Sequence, residues 1–190
     1  MKANLLLIAA TLLMALSACN KVSESIQRDI IIKPDSLLFS IPPTALSSDS
    51  IVIDNLPATV NIIDEINNPG GENFSLENIT KVKVSDFSIT YVPKVKDSVD
   101  AKNNFSSIST LRVNLINGLK RDSLAKYANT GSIDAVPLRL SLTPVIDGEV
   151  LRTYLNNGSL KYSVVIRLRK STTDTIRAKL SASYTLTLEK

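Results

Sequence analysis

Histidine and tryptophan are absent from this 190-residue chain, and cysteine occurs once, at Cys19. Without histidine the commonest general base and the commonest transition-metal ligand are both missing. A lone cysteine excludes an intramolecular disulfide, so stability must come from a core. Glycine is scarce, with six residues, and neither a phosphate-cradling loop nor a dinucleotide fingerprint occurs. Serines are plentiful, but none sits in a Gly-x-Ser-x-Gly setting, and no imidazole exists to activate one. The formal charge of +4 is spread singly along the chain, and only nine aromatic residues accompany it. A nucleic-acid reader would need a basic stripe with stacking rings, so that class is set aside. Two carboxylate pairs, Asp64-Glu65 and Asp147/Glu149, have the composition of a glycosidase pair. A solvated turn and a helix N-terminus explain them better. The sequence implies no enzyme, no cofactor and no metal site.

The beginning of the chain is more informative. Lys2 precedes an apolar run over residues 5–16 that only Thr11 interrupts, and Leu16-Ser17-Ala18-Cys19 follows. The run is shorter than the roughly 20 residues of a spanning helix. The arrangement resembles a bacterial lipoprotein signal with its lipobox. The resemblance implies that residues 1–18 are removed and that Cys19 becomes the N-terminus. Cys19 would then carry a thioether-linked diacylglycerol and an N-acyl chain such as palmitate. One chain anchors weakly and several anchor durably, since each buried methylene contributes about 0.8 kcal/mol. Asn20, not aspartate, follows the cysteine, which favours the outer membrane, on its periplasmic face or at the surface. Lys2 is the one charge in residues 1–18; without it 21 basic residues face 18 acidic. Residues 19–27 then read as lipidated terminus and tether, reaching up to about 25–30 Å.

From residue 28 to 190 the dominant period is two, and one domain is expected. Leu160, Tyr162, Val164, Ile166 and Leu168 alternate with polar neighbours; Ile176 to Leu188 does the same on even positions. A short polar link at 171–174 predicts that these two strands form a C-terminal antiparallel hairpin. Leu111, Val113 and Leu115 alternate, as do Val136, Leu138, Leu140 and Leu142, with Pro137 marking an edge or a strand start. Over residues 81–92 the phase changes: Val82 and Val84 lie on one parity, Phe87, Ile89 and Tyr91 on the other. A β-bulge near Ser85-Asp86 would turn both sets to the core. Leu37, Phe39 and Ile41, then Ile51 and Ile53, then Val60 and Ile62 predict shorter strands. One helix is predicted near 147–157: Asp147 as cap, Val150, Leu151, Tyr154 and Leu155 on one face, Gly158 as stop. Residues 119–129 fit a helix or an edge strand equally. The expected fold is all-β: an antiparallel β-sandwich, immunoglobulin-like or similar, with one short helix.

Asp followed by Ser or Thr and an apolar residue occurs at Ser36, Ser50, Ser98, Ser123 and Thr175. Composition predicts about one such triplet, so the excess is a motif hypothesis. It resembles the general O-glycosylation sequon of one group of gram-negative bacteria, and these five hydroxyls are candidate glycosylation sites. Strand entry explains it too: Asp ends a turn, the hydroxyl residue opens a strand. As sugar-stacking platforms, Tyr162, Tyr184 and Tyr91 have the parity of core residues, Tyr154 that of a helix packing face, and Tyr127 remains.

The stretches 74–82, 87–90 and 183–188 are similar to those of small all-β lipoproteins of gut-type gram-negative bacteria. That resemblance implies a sandwich at the cell envelope and brings no catalytic residues. The expected function is a non-enzymatic, lipid-anchored envelope protein, a structural or accessory interaction module. Its partners would be the membrane and an outer-membrane protein complex or glycan, with edge strands as docking surface. The alternatives are a glycan-binding lipoprotein of a nutrient uptake system and a fimbrial or adhesin subunit.

Overall fold

A computed structural model describes residues 26–47, 49–67, 74–94, 100, 102–129, 138–143, 146–154 and 158–190. Among them, two antiparallel sheets enclose one apolar core, so the expected sandwich is the fold. The first sheet is built on β11 (Ile176–Glu189) and β4 (Ile79–Tyr91), the two longest strands. β1 (Gln27–Ile32) and β2 (Leu37–Ile41) run in succession along the outer side of β11. The two-residue strands β7 (Leu138–Arg139) and β9 (Ile146–Asp147) flank β4. The second sheet has the order β3 (Ile51–Thr59), β10 (Ser159–Leu168), β5 (Ile108–Asn117), β6 (Lys120–Ala128), β8 (Ser141–Leu142).

The phase change in β4 is resolved by the expected bulge. Asp86 pairs with Ser183 and Val84 with Tyr184, leaving Ser85 as the extra residue. Val82, Val84, Phe87, Ile89 and Tyr91 are consequently all buried. β3 has a second bulge, where Asp54 and Asn55 oppose Ser163. Asn55 takes φ 59° there, a left-handed setting that asparagine tolerates better than most residues.

The C-terminal hairpin does not form. β10 pairs with β3 and β5, while β11 pairs with β1, β2 and β4, so the two strands face each other across the core. Tyr162 and Tyr184, one from each, are hydrogen-bonded through their hydroxyls at 2.8 Å in the interior. Alternation establishes that each strand has one dry face; it does not say whether two dry faces lie side by side or opposed. The connection decides it. Residues 169–175 are held by other loops: Arg169 N–H donates to Ser107 O, and Thr172 N–H to Thr44 O. The buried Asn103 side chain accepts from the N–H groups of Thr173 and Asp174. A strap pinned at these points crosses between sheets.

Three further readings need correction. Val60 and Ile62 do not continue a strand: β3 stops at Thr59, and α1 (Ile62–Asn67) follows. Asn61 caps it, accepting from Asp64 N–H at 3.4 Å, and Ile62 and Ile66, one turn apart, are buried. Asp64 and Glu65 are therefore the exposed first turn of a helix. Two helices, not one, are found among the described residues. The expected one is α2 (Gly148–Tyr154), seated on β4 by Leu151 and Tyr154. Its predicted cap sits in β9, and residues 155–157 lie outside the described residues. Secondly, residues 138–142 are not one strand: β7 joins the first sheet and β8 the second, leaving Leu142 exposed. Val136 and Pro137 are not described. Thirdly, two residues expected in the tether, Ile26 and Gln27, are tied into the fold. Gln27 already belongs to β1, and Ile26 exchanges two backbone hydrogen bonds with Lys190. The ambiguous 119–129 region is strand β6. Among the described residues no helix is long and apolar enough to cross a membrane.

Candidate functional site

The outer face of the second sheet is where chemistry gathers. Its strand register sets Val52, Val165, Arg112, Lys126 and Ser141 side by side, one from each of the five strands. Arg167 lies in the neighbouring outward row, opposite Thr110. Its Nε donates to Ser50 Oγ at 3.1 Å. A concavity of about 470 Å³ opens over Val165, Arg112, Lys126, Ser141 and Arg167, and among the described residues no carboxylate lines it.

Arg112 and Lys126 are direct cross-strand partners, and both are exposed. Like charges opposite one another weaken an antiparallel pair. Neither has an ion pair or hydrogen bond among the described residues. Nearby, the same sheet does neutralise a cation. The Arg121 guanidinium forks onto Asp54 at 2.9 and 3.0 Å and donates to Ser163 Oγ at 3.0 Å. That strap covers Ser163 and Asn114, which are buried although they lie on the outer face. The same guanidinium holds the Asp54 carboxyl down at about 2. Asp54 is thus committed to Arg121.

The residues singled out by sequence fall in separate places. Ser36 is exposed just before β2, its Oγ 3.0 Å from Ser181 Oγ. Ser50 is half-buried before β3 and lines the concavity. Thr175 is half-buried before β11, its N–H bonded to Asp174 Oδ1 at 2.7 Å. Strand entry accounts for these three. Ser123 differs, standing exposed in the middle of β6. Ser98 and Cys19 lie outside the described residues. The structure does not bring these hydroxyls together.

Tyr91, Tyr162 and Tyr184 are core residues. Tyr154, the last residue of α2, is buried and donates to Asp122 Oδ2 at 2.5 Å; its burial and that carboxylate push the phenol up. Tyr127 is half-buried, lines the concavity, and has a buried hydroxyl without a hydrogen-bond partner. It opposes the buried Leu111 and packs against the core, so its ring does not stand on the outer face. Glu149 lies in the first turn of α2, as expected, and Asp147 immediately precedes it. No group of three metal-ligating side chains occurs among the described residues.

Arg112, Lys126 and Arg167 were not marked by the sequence. Each lies on the polar parity of its strand, where a lone cation is unremarkable. The register of β10, β5 and β6 is what collects them.

No family model matches the chain, and no curated protein matches it. Among solved structures, a chain of the infectious bursal disease virus Gt strain aligns with TM-score 0.42 and 13% identity, over 90% of this chain and 35% of that one. A "putative secreted protein from Eubacterium rectale" aligns with TM-score 0.36 and 15% identity, over 85% of this chain and 40% of that one. The infectious bursal disease virus VP2 subviral particle gives TM-score 0.33 and 14% identity, over 86% and 33%. The chain thus spans between a third and two-fifths of the length of these matches.

Proposed function

We propose that the chain is a non-enzymatic protein of the cell envelope, anchored in the outer membrane by lipid on Cys19 and serving as an interaction module. The observation that carries this reading is the position of the chain's entry relative to the concavity. Ile26 and Lys190 are bonded to each other at one end of the long sheet. The concavity opens beside Arg167 and Ser50, near the crossover at the opposite end. β11 alone, at about 3.3 Å per residue, is roughly 43 Å long. A domain attached through residues 20–25 would therefore hold the concave face well clear of the bilayer. The absence of histidine and of any thiol besides Cys19 supports a binding role over a catalytic one.

Metabolic labelling with palmitate and membrane fractionation, on the full chain and on Cys19→Ala, test the anchor. The wild type should incorporate label and sediment with membranes, and the variant should do neither. An unlabelled wild type in the aqueous fraction overturns the reading. Cross-linking from intact cells with a C-terminal tag then identifies the envelope component it contacts.

A further inference from the structure

We propose that the concave face binds an acidic polysaccharide, a sugar polymer bearing carboxylate or sulfate groups. The inference rests on the reading of the chain as a binding module and names its ligand class.

The charge pattern gives the sign. Arg112 and Lys126 oppose each other across β5 and β6, with Arg167 one outward row away. Among the described residues the lining holds no acid to offset them. Two cations elsewhere are paired, Arg121 with Asp54 and Lys94 with Asp174. The repulsion is left standing where the hollow opens, and a ligand with several negative groups relieves it. Its exposure also leaves it sensitive to salt.

The shape and the remaining lining give the polymer. The lined row from Val165 to Ser141 crosses four strands, a run of about 14 Å at roughly 4.8 Å per strand. That length suits several sugar units in file. The hydroxyls of Ser50, Thr110 and Ser141 lie among the cations and match sugar hydroxyls. Tyr127 faces the core, so among the described residues no ring stands out from the lining, whereas single-stranded nucleic acid is held on successive aromatic platforms.

The test uses the full-length protein in detergent, titrated with polygalacturonate, its fully methyl-esterified form, chondroitin sulfate and polyphosphate. Polygalacturonate and chondroitin sulfate should bind, and binding should weaken as salt rises. Esterification, which keeps the sugar backbone and removes the charge, should cost at least tenfold. Polyphosphate should bind at least tenfold more weakly than the acidic glycans. Lys126→Glu should lower glycan affinity at least tenfold while raising the Tm, because the new carboxylate pairs with Arg112. That opposite movement separates a lost contact from a lost fold. Equal binding of both galacturonan forms, polyphosphate binding as tight as the glycans, or no binding to any probe overturns the inference. A protein that carries palmitate yet binds no glycan overturns this inference alone. One that binds glycan without lipid overturns the anchor alone.

Discussion

Replacing Tyr162 and Tyr184 by phenylalanine, singly and together, should give sharply non-additive losses of stability. Their hydroxyls are 2.8 Å apart, both residues are fully buried, and neither hydroxyl has a second partner among the described residues. One donates and the other accepts, so removing either oxygen strands the survivor in an apolar interior. Such a stranded group costs about 1–3 kcal/mol. Removing both leaves nothing to satisfy, and the double variant should lie within about 0.5 kcal/mol of wild type or above it. The rings stay, so the edge-to-face contact of residue 162 with Phe87, at 6.2 Å between centroids, is kept in every variant. A double-mutant cycle should therefore return a coupling of roughly 1–3 kcal/mol. In Tm terms each single variant falls by about 2–4 °C per kcal/mol, and the double recovers. Urea unfolding followed by far-UV circular dichroism measures this in a chain without tryptophan. Burial raises both phenol pKa values, so unfolded tyrosines ionise first as pH rises. The linked stability is whole below the unfolded value near 10 and declines above it. The double variant should flatten that alkaline decline. A double variant as unstable as the two singles added together would refute the argument, because each hydroxyl would then have its own separate partner.

Three other outcomes are expected. A Cβ on Gly148 would sit 2.0 Å from Ile79 O and 2.7 Å from Ile79 C, both backbone atoms that cannot swing aside. Gly148→Ala should thus push α2 off β4 at a cost of about 3 kcal/mol, read as a lowered urea midpoint. Deleting Ser85 removes the bulge and turns either the Val82 pair or the Phe87 set outward; at about 1.5–3 kcal/mol per side chain, folded yield should collapse. Ser85→Ala keeps the residue count and should fold normally. Asp54 is depressed to about 2 by Arg121, so its contribution is present above the unfolded carboxyl value near 3.9 and is lost as pH falls from there through 2. With the two side chains 33% and 43% exposed, that contribution is at most about 1 kcal/mol. Asp54→Asn should remove this part of the acid slope in unfolding measured between pH 5 and 2.

Period two made most strands readable, and in β4 even its interruption carried meaning, because two apolar phases in one strand require an extra residue between them. Sheet membership was not readable in the same way. The dry faces of β10 and β11 look alike whether the strands pair or oppose, and the strap at 169–175 is fixed by Ser107, Thr44 and Asn103, far away in sequence. α1 escaped because six residues show barely more than one turn of helical period, and Val60-x-Ile62 mimics alternation. The concave face escaped for the same reason as the sheets: Arg112, Lys126 and Arg167 become neighbours only through register. Tyr127, left as a platform by elimination, turns out to share the core-facing parity, because the bulge opposite Val113 and Asn114 shifts the phase of β6.

The place of β11 in the first sheet has a consequence for synthesis. β11 follows β1, β2 and β4 in the chain, yet each of them pairs with it, and among the described residues β1 and β2 have no other strand partner. A chain emerging from its amino end therefore presents two unpaired, apolar-faced strands for the whole interval before the fourteen residues of β11 arrive. The contacts that close the sheet span more than 140 positions at the Ile30–Leu186 pair, the long-range kind that forms slowly. During that interval the early strands are open to pairing with other chains. A shortened C-terminus would deprive the first sheet of its centre, not its edge, and leave the amino-terminal strands with nothing to join.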